Sequence, residues 1–169
     1  MTLSTTLALA AYAEQTNALD LGSARFPARL QRKVSLTDGA AAGQANRVFS
    51  DRRTLAASGA EDLDLAGVLL DAFGATITFA RIKGLYIAAA AANTNNVVIG
   101  ADATNPWATL LNATGTITLR PGASFAAFAG AGDGTGYAVT AGTGDLLQVA
   151  NSGAGTSVEY DIFVVGAAT

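Results

Sequence analysis

The sequence contains no cysteine and no histidine. Without these two residue types, a disulfide framework, a thiolate or imidazole metal site and every catalytic arrangement built on histidine or cysteine are excluded. Carboxylates, two lysines and glycine-rich loops are the groups left that could carry chemistry. We therefore predict that the protein is not an enzyme and has no catalytic, cofactor-binding or metal-binding residues.

Charged residues are also scarce, at 14% of the chain against about 25% in an average soluble domain. Half of the residues are apolar, which excludes a disordered chain and is typical of a protein whose surface is covered by neighbours. Residues 1–83 hold nine Lys/Arg and eight Asp/Glu, whereas residues 84–169 hold one basic residue, Arg120, and five acids. Nucleic-acid binding needs clustered cations, so we expect no nucleic-acid partner.

No apolar run reaches the roughly 18 residues of a membrane span, so we expect no membrane partner. The start of the chain imitates a signal peptide at Ala11-Tyr12-Ala13, but no basic region precedes it. Residues 2–19 also place apolar side chains at helical spacing, with Ser4 or Thr5 as a possible cap. We interpret residues 1–22 as an N-terminal arm or short helix that needs a partner to be stable.

From residue 24 onward, apolar and polar residues alternate, which predicts strands with one buried and one wet face. The longest alternation covers residues 75–91, with a bulge or change of facing at Gly84. Short strands then follow at regular intervals, including one at 107–111 and a last one at 158–165. The pattern predicts an all-β protein, a sandwich or a barrel, with residues 23–169 as a single domain.

Three features could carry a site. Glu61, Asp62 and Asp64 form the densest carboxylate cluster. Asp62 and Asp64 share a strand face and could flank a cation or a sugar bond, which gives a carbohydrate-active enzyme as one hypothesis. A solvated face, or pairing of the cluster with Arg52 and Arg53, is the favoured interpretation. The loop Gly130–Gly136 lacks the Lys-Ser/Thr of a phosphate loop and the several oxygen ligands of a calcium loop, so a mobile hairpin tip is expected. The two lysines, Lys33 and Lys83, are expected to point outward from strands.

The basic residues of the first half form the candidate partner-binding set. They are either solvated strand faces or a cationic strip that docks on an acidic surface, where charge provides specificity and steering. The sequence leaves both interpretations open. The set consists of Arg25, Arg29, Arg32, Lys33, Arg47, Arg52 and Arg53.

The central and C-terminal segments resemble a family of small bacteriophage virion proteins over roughly residues 45–168, in pattern and turn placement. The segments that carry the resemblance are Asp64-Leu65-Ala66-Gly67, Asp71-Ala72-Phe73-Gly74, Ile77-Thr78-Phe79, Ile82-Lys83, Leu85-Tyr86-Ile87, an Asn-rich turn, Val98-Ile99-Gly100, Leu119-Arg120-Pro121-Gly122 and Tyr160-Asp161-Ile162-Phe163-Val164.

The resemblance implies a jelly-roll-like β-sandwich in a structural protein that assembles on phage heads. In that family a decoration or cement protein binds the outside of the capsid and stabilises it. The implied partners are the major capsid protein and further copies of the chain, as a homo-oligomer on the capsid surface of the virion.

A second virion role stays open. A phage tail, baseplate or head-fibre protein could bind the host or its glycans through exposed loop tips. Residues 93–96 and the loop Gly130–Gly136 would then be the recognition tips.

Overall fold

The structure, a computed structural model, describes residues 2–100 and 102–168. Strand accounts for 56% of the chain and helix for 2%, so the protein is all-β, as the alternation predicted. The strands are β1 (Thr5–Leu19), β2 (Gly22–Asp38), β3 (Gln44–Ala45), β4 (Arg47–Leu55), β5 (Ala60–Asp64), β6 (Arg81–Ala89), β7 (Val97–Gly100), β8 (Thr116–Leu119), β9 (Ser124–Phe128), β10 (Tyr137–Ala138), β11 (Leu146–Asn151) and β12 (Val158–Ala167), and the helix is α1 (Ala108–Leu111).

Two antiparallel sheets pack against each other around one core. The five-stranded sheet has the order β10-β6-β12-β4, with β9 also paired to β6, and the four-stranded sheet has the order β5-β11-β7-β8. Ile87 and Ile162 from the first sheet and Ile99 and Val149 from the second are buried in the same core. These sheets are consistent with a β-sandwich, while the jelly-roll topology stays a prediction.

Strand β6 is the central strand of the larger sheet, and it is shorter than the alternation predicted. Residues 75–80 are mostly irregular, although Ile77 and Phe79 are buried in the core. Against β12 the register passes from the pair Val165↔Gly84 to the pair Gly166↔Ile82, so the bulge predicted at Gly84 is confirmed.

Lys83 is the residue that this bulge leaves out of the β6–β12 pairing, and the prediction that it points to solvent is wrong. Its side chain is buried, and its Nζ donates a hydrogen bond to the backbone oxygen of Asp133. Burial lowers the pKa of Lys83 because it disfavours the charged form. Alternation misplaced this residue because the extra position in a bulge breaks the period of two.

The prediction of a strand at residues 107–111 is also wrong. Trp107 is buried, its Nε1 donates to the backbone oxygen of Ala138 at 2.8 Å, and the chain then forms the single helical turn α1. Short apolar runs do not distinguish a buried strand from a buried helical turn.

Residues 5–19 form a strand rather than a helix. β1 pairs with β2 in one antiparallel register, from Thr5↔Leu36 to Leu19↔Gly22, so the partner strand supplies the hydrogen bonds that a helix would have made internally. Residue 22 lies where β2 begins, after the turn at Asp20 and Leu21. The division into an arm of residues 1–22 and a domain of residues 23–169 stays a prediction, and the hairpin extends across that boundary.

Candidate assembly surface

The hairpin arm, defined here as residues 5–38, is a two-stranded ribbon along most of its length; β3 pairs with β2 only at Thr37 and Asp38, at the base of the arm. Every residue from 8 to 33 is exposed. A two-stranded hairpin is marginally stable in water, and three strands or a packing partner are needed for independent stability. The ribbon therefore lacks the packing that normally stabilises a β-structure.

The register sorts the side chains of the arm onto two faces, because residues directly opposite one another in an antiparallel pair share a face. One face, called the apolar face, is dominated by hydrophobic side chains with a few polar residues between them. Its members include Leu7, Leu9, Ala11, Ala13, Gln15, Asn17, Leu19, Phe26, Ala28, Leu30, Arg32, Val34 and Leu36.

The opposite face, called the cationic face, carries most of the charge of the arm. Arg25 lies 3.6 Å from Glu14, measured between Nη1 and Oε1. Arg29 and Lys33 form no ion pair within the part of the chain that the structure describes. Tyr12 lies opposite Arg29 and is 64% exposed.

The sandwich covers the apolar face only at the base of the arm. Leu7 and Leu36 form a small cluster with Val165, on the side of the five-stranded sheet that points away from the main core. Gly84 lies beneath Leu7, and a Cβ at this position would overlap the Leu7 side chain. The apolar face is therefore buried at Leu7 and Leu36 and exposed along the rest of the arm.

Side-chain hydrogen bonds also hold the base of the arm. Arg81 Nη1 donates to the backbone oxygens of Ala40 and Gly134, each at 3.1 Å, which connects the loop after β2 to the loop Gly130–Gly136. In the latter loop, Asp133 Oδ1 accepts hydrogen bonds from the backbone of Thr135 and Gly136. These bonds from Gly136 and Thr135 lower the pKa of Asp133.

The predicted basic set is split between the arm and strand β4. Arg25, Arg29 and Lys33 lie on the cationic face, while Arg32 lies on the apolar face opposite Leu9. Arg47, Arg52 and Arg53 lie on strand β4, in the sandwich. The structure therefore does not assemble the seven residues into one strip, and their role in partner binding stays a prediction.

Two of the β4 arginines are engaged within the fold. Arg52 makes two hydrogen bonds to Asp161, at 2.6 and 3.0 Å, and this contact lowers the pKa of that carboxyl group. Arg53 donates to Glu61 Oε2 at 3.0 Å. The Tyr160 hydroxyl donates to the other oxygen of Glu61 at 2.7 Å. Burial raises the pKa of the Tyr160 hydroxyl.

Arg47, the third basic residue of β4, donates from Nη1 to the neighbouring backbone oxygen of Asn46 at 2.9 Å. The Arg47 guanidinium forms no ion pair with a carboxylate within the described residues. It lines a cleft at the start of β4.

The acids proposed for sugar chemistry bond within the fold. Asp62 Oδ1 accepts from Gln148 Nε2 at 2.9 Å, and Asp64 Oδ1 accepts from the backbone of Ala66 at 2.8 Å. Glu61, rather than either of these acids, pairs with Arg53.

The asparagine turn is likewise bonded inward. Asn93 exchanges two hydrogen bonds with the backbone of Glu159, and Asn95 Nδ2 donates to Asn151 Oδ1 at 3.0 Å. Asn151 Nδ2 in turn donates to Ala56 and Thr156. Their amide groups connect loops of the sandwich.

One apolar surface was not identified from the sequence. The apolar loop, defined as residues 66–76, exposes Val68, Leu70 and Phe73, the last at 80%. The run Val68-Leu69-Leu70 gave no signal of this exposure, because consecutive apolar residues are equally typical of a buried segment, and only Leu69 is buried. Beside this loop, a cleft of about 400 Å³ is lined by residues that include Leu3, Val48 and Phe73.

No group of three or more potential metal-ligating side chains is found among residues 2–100 and 102–168. In the same residues, no helix has the length and apolar character needed to cross a membrane.

Comparisons with family models, with characterised protein sequences and with solved structures found no match to this chain.

Proposed function

We propose that the chain is a structural protein of a bacteriophage particle, a decoration or cement protein that binds the outside of the capsid and stabilises it. The observation that carries the proposal is the hairpin arm, exposed from residue 8 to residue 33 with an apolar and a cationic face. A ribbon of this kind gains its packing from another molecule.

The arm has the features that assembly on a lattice requires. Packing against a neighbouring molecule of the particle, the capsid or a further copy of the chain, can cover apolar side chains such as Leu9, Leu30 and Phe26, which are all more than half exposed. Burial of apolar surface is the main driving force of protein association. Repeated copies on a symmetric lattice then bind by avidity, even when a single contact is weak.

The cationic face suits the contact with the capsid. Arg29 and Lys33 form no ion pair within the described residues and can pair with carboxylates of a partner. Opposite charges across an interface increase the association rate and fix the orientation of the partners.

Co-sedimentation tests this function. The purified chain is mixed with expanded capsids of the phage that encodes it, stripped of their small outer proteins, and pelleted over a range of concentrations. We expect saturable binding at a fixed ratio to the major capsid protein. The double variant Arg29→Glu, Lys33→Glu should bind at least about tenfold more weakly, because two attractive contacts become repulsive.

The matched control is Arg120→Glu, which reverses an exposed charge outside the arm and should leave the binding unchanged. If the unaltered chain does not pellet with capsids at any concentration, the decoration role is wrong. A stable free oligomer without capsid binding would then favour the tail, baseplate or head-fibre alternative.

A further inference from the structure

We infer that the uncovered apolar face of the hairpin arm docks on the apolar loop and adjacent cleft of a second copy of this chain. The inference goes beyond the proposed capsid contact, which uses the opposite face of the arm. It would hold for either kind of phage particle.

Each copy presents two apolar surfaces that its own fold leaves uncovered. On the arm, Leu9, Leu30 and Phe26 continue the face that Leu7 begins, and Phe26 is 66% exposed. On the sandwich, Val68, Leu70 and Phe73 are exposed beside the cleft of about 400 Å³. Exposed apolar patches of this kind mark interaction sites, and one contact between copies covers both.

The dimensions of the arm allow it to reach across a neighbour. Its strand β1 has 15 residues and so extends about 50 Å, at about 3.4 Å per residue. The remaining chain of about 130 residues has a radius of gyration of about 14 Å if it is compact. An arm from one copy can therefore lie across the sandwich of another.

The area favours an exchange in which each copy both gives and receives an arm. The uncovered part of the apolar face, Leu9–Leu19 with its partners, presents about 400 Å². A single such contact is too small for a stable interface, which buries about 800 Å² on each partner. One arm given and one arm received bring each copy to that value, and only a second copy of this chain supplies both.

Charge favours an arm on a sandwich over an arm on an arm. Residues 1–38 carry four Lys/Arg and three Asp/Glu, whereas residues 39–169 carry six and ten, which gives net charges of +1 and −4. Of the four cations only Arg32 lies on the apolar face, so two arms packed through their apolar faces would bring the two copies of Arg32 near each other. On the sandwich side, the cleft is lined by Asp71 of the apolar loop as well as by Arg47, so it offers Arg32 a carboxylate.

The first experiment measures the mass of the purified chain in solution without capsids, by sedimentation velocity from 1 to 100 µM. We expect a defined oligomer that dissociates on dilution. The variants Phe26→Ser and Phe73→Ser should each raise the dissociation constant at least about tenfold, because each loses a large apolar contact. A chain that stays monomeric throughout this range would overturn the inference.

The matched control is Tyr12→Ser. Tyr12 is as exposed as Phe26 but lies on the cationic face, so its loss should leave the dissociation constant within about twofold of the unaltered chain. If Tyr12→Ser raised the dissociation constant as much as Phe26→Ser, the contact would not be specific to the apolar face, and the inference would be wrong. Circular dichroism checks that each variant keeps its β-structure, which is expected because all three side chains are exposed.

Cross-linking identifies the docking partner surface. The chain has no cysteine, so single-cysteine variants each offer one thiol to a short bismaleimide. A mixture of Gln15→Cys, which lies opposite Phe26 on the apolar face, with Ala72→Cys, in the apolar loop, should give a linked pair that contains one copy of each variant. A mixture of Gln15→Cys with Thr118→Cys, on the exposed face of strand β8, should give little.

Linkage of Gln15→Cys to itself at the same yield would show an arm-on-arm contact and overturn the assignment of the apolar loop. Because no capsid is present, these measurements succeed or fail independently of the capsid-binding test. A chain that self-associates as expected but does not bind capsids would keep this inference and lose the proposed function.

Discussion

The hairpin arm and the sandwich are built from the same secondary structure but differ in what covers them. Strand β6 has hydrogen-bonded neighbours along both edges, and Ile82 and Ile87 on it are fully buried. Strand β1 has one neighbour, and its side chains beyond Leu7 are exposed. Pairing with one neighbouring strand is enough to form a strand, whereas the stability of that strand depends on what its apolar face contacts.

The energetic consequence of this difference is large. Full burial of a Val, Leu, Ile or Phe side chain contributes about 1.5–3 kcal/mol. The side chains of the sandwich core make that contribution within one chain. Those of the arm, such as Leu30, can make it only when another molecule covers them.

Truncating one apolar side chain in each region gives the largest expected effect. Ile87→Ala should lower the free energy of unfolding by about 2–5 kcal/mol, because it removes buried methyl groups and leaves a cavity. Leu30→Ala, in the exposed arm, should change the stability of the monomer by less than about 0.5 kcal/mol. Urea denaturation of dilute protein measures both; equal losses would show that the arm is packed within its own chain.

An asparagine in each region gives an intermediate effect. Asn151 is buried, and its amide bonds to Asn95, Ala56 and Thr156. Asn151→Ala should cost about 2 kcal/mol because it leaves buried polar partners unsatisfied. Asn17→Ala, on the exposed apolar face, should be nearly neutral in the same urea titration, and a comparable loss there would contradict the exposure of the arm.

Acid should have the smallest effect, confined to the loop at the base of the arm. The pKa of Asp133 lies below its ordinary value of 3.8, because the carboxylate accepts backbone hydrogen bonds from Gly136 and Thr135. The stabilisation is therefore fully present above pH 3.8 and is lost as the pH falls through the lowered pKa. We expect the Thr135 amide resonance to shift with a midpoint below pH 3.8.

Asp133→Asn is the control for this titration, since it removes the ionisable group and should abolish the shift of the Thr135 resonance. A midpoint at or above pH 3.8 would show that the hydrogen bonds do not stabilise the carboxylate. The amide resonances of the arm should not shift over this pH range, because the loop contacts only the base of the arm.

Several elements of the sandwich could be predicted from the sequence. The strands at residues 81–89 and 158–167 correspond to the segments predicted at 75–91 and 158–165, and Gly84 indicated the bulge. Residues 5–19 could not be assigned, because Ala and Leu also favour helix and the pairing partner lies beyond the turn at Asp20. The apolar loop was missed because an exposed and a buried leucine look alike in a sequence.

By itself the sequence determined that the protein is all-β and that histidine and cysteine chemistry is excluded, because composition and a period of two are local properties. Only the tertiary structure decided that Lys83 is buried, that Arg52 and Arg53 pair within the fold, and that Arg29 and Lys33 form no ion pair within the described part of the chain. Burial and ion pairing depend on which strands become neighbours, and residues such as Arg52 and Asp161 lie 109 positions apart in the chain.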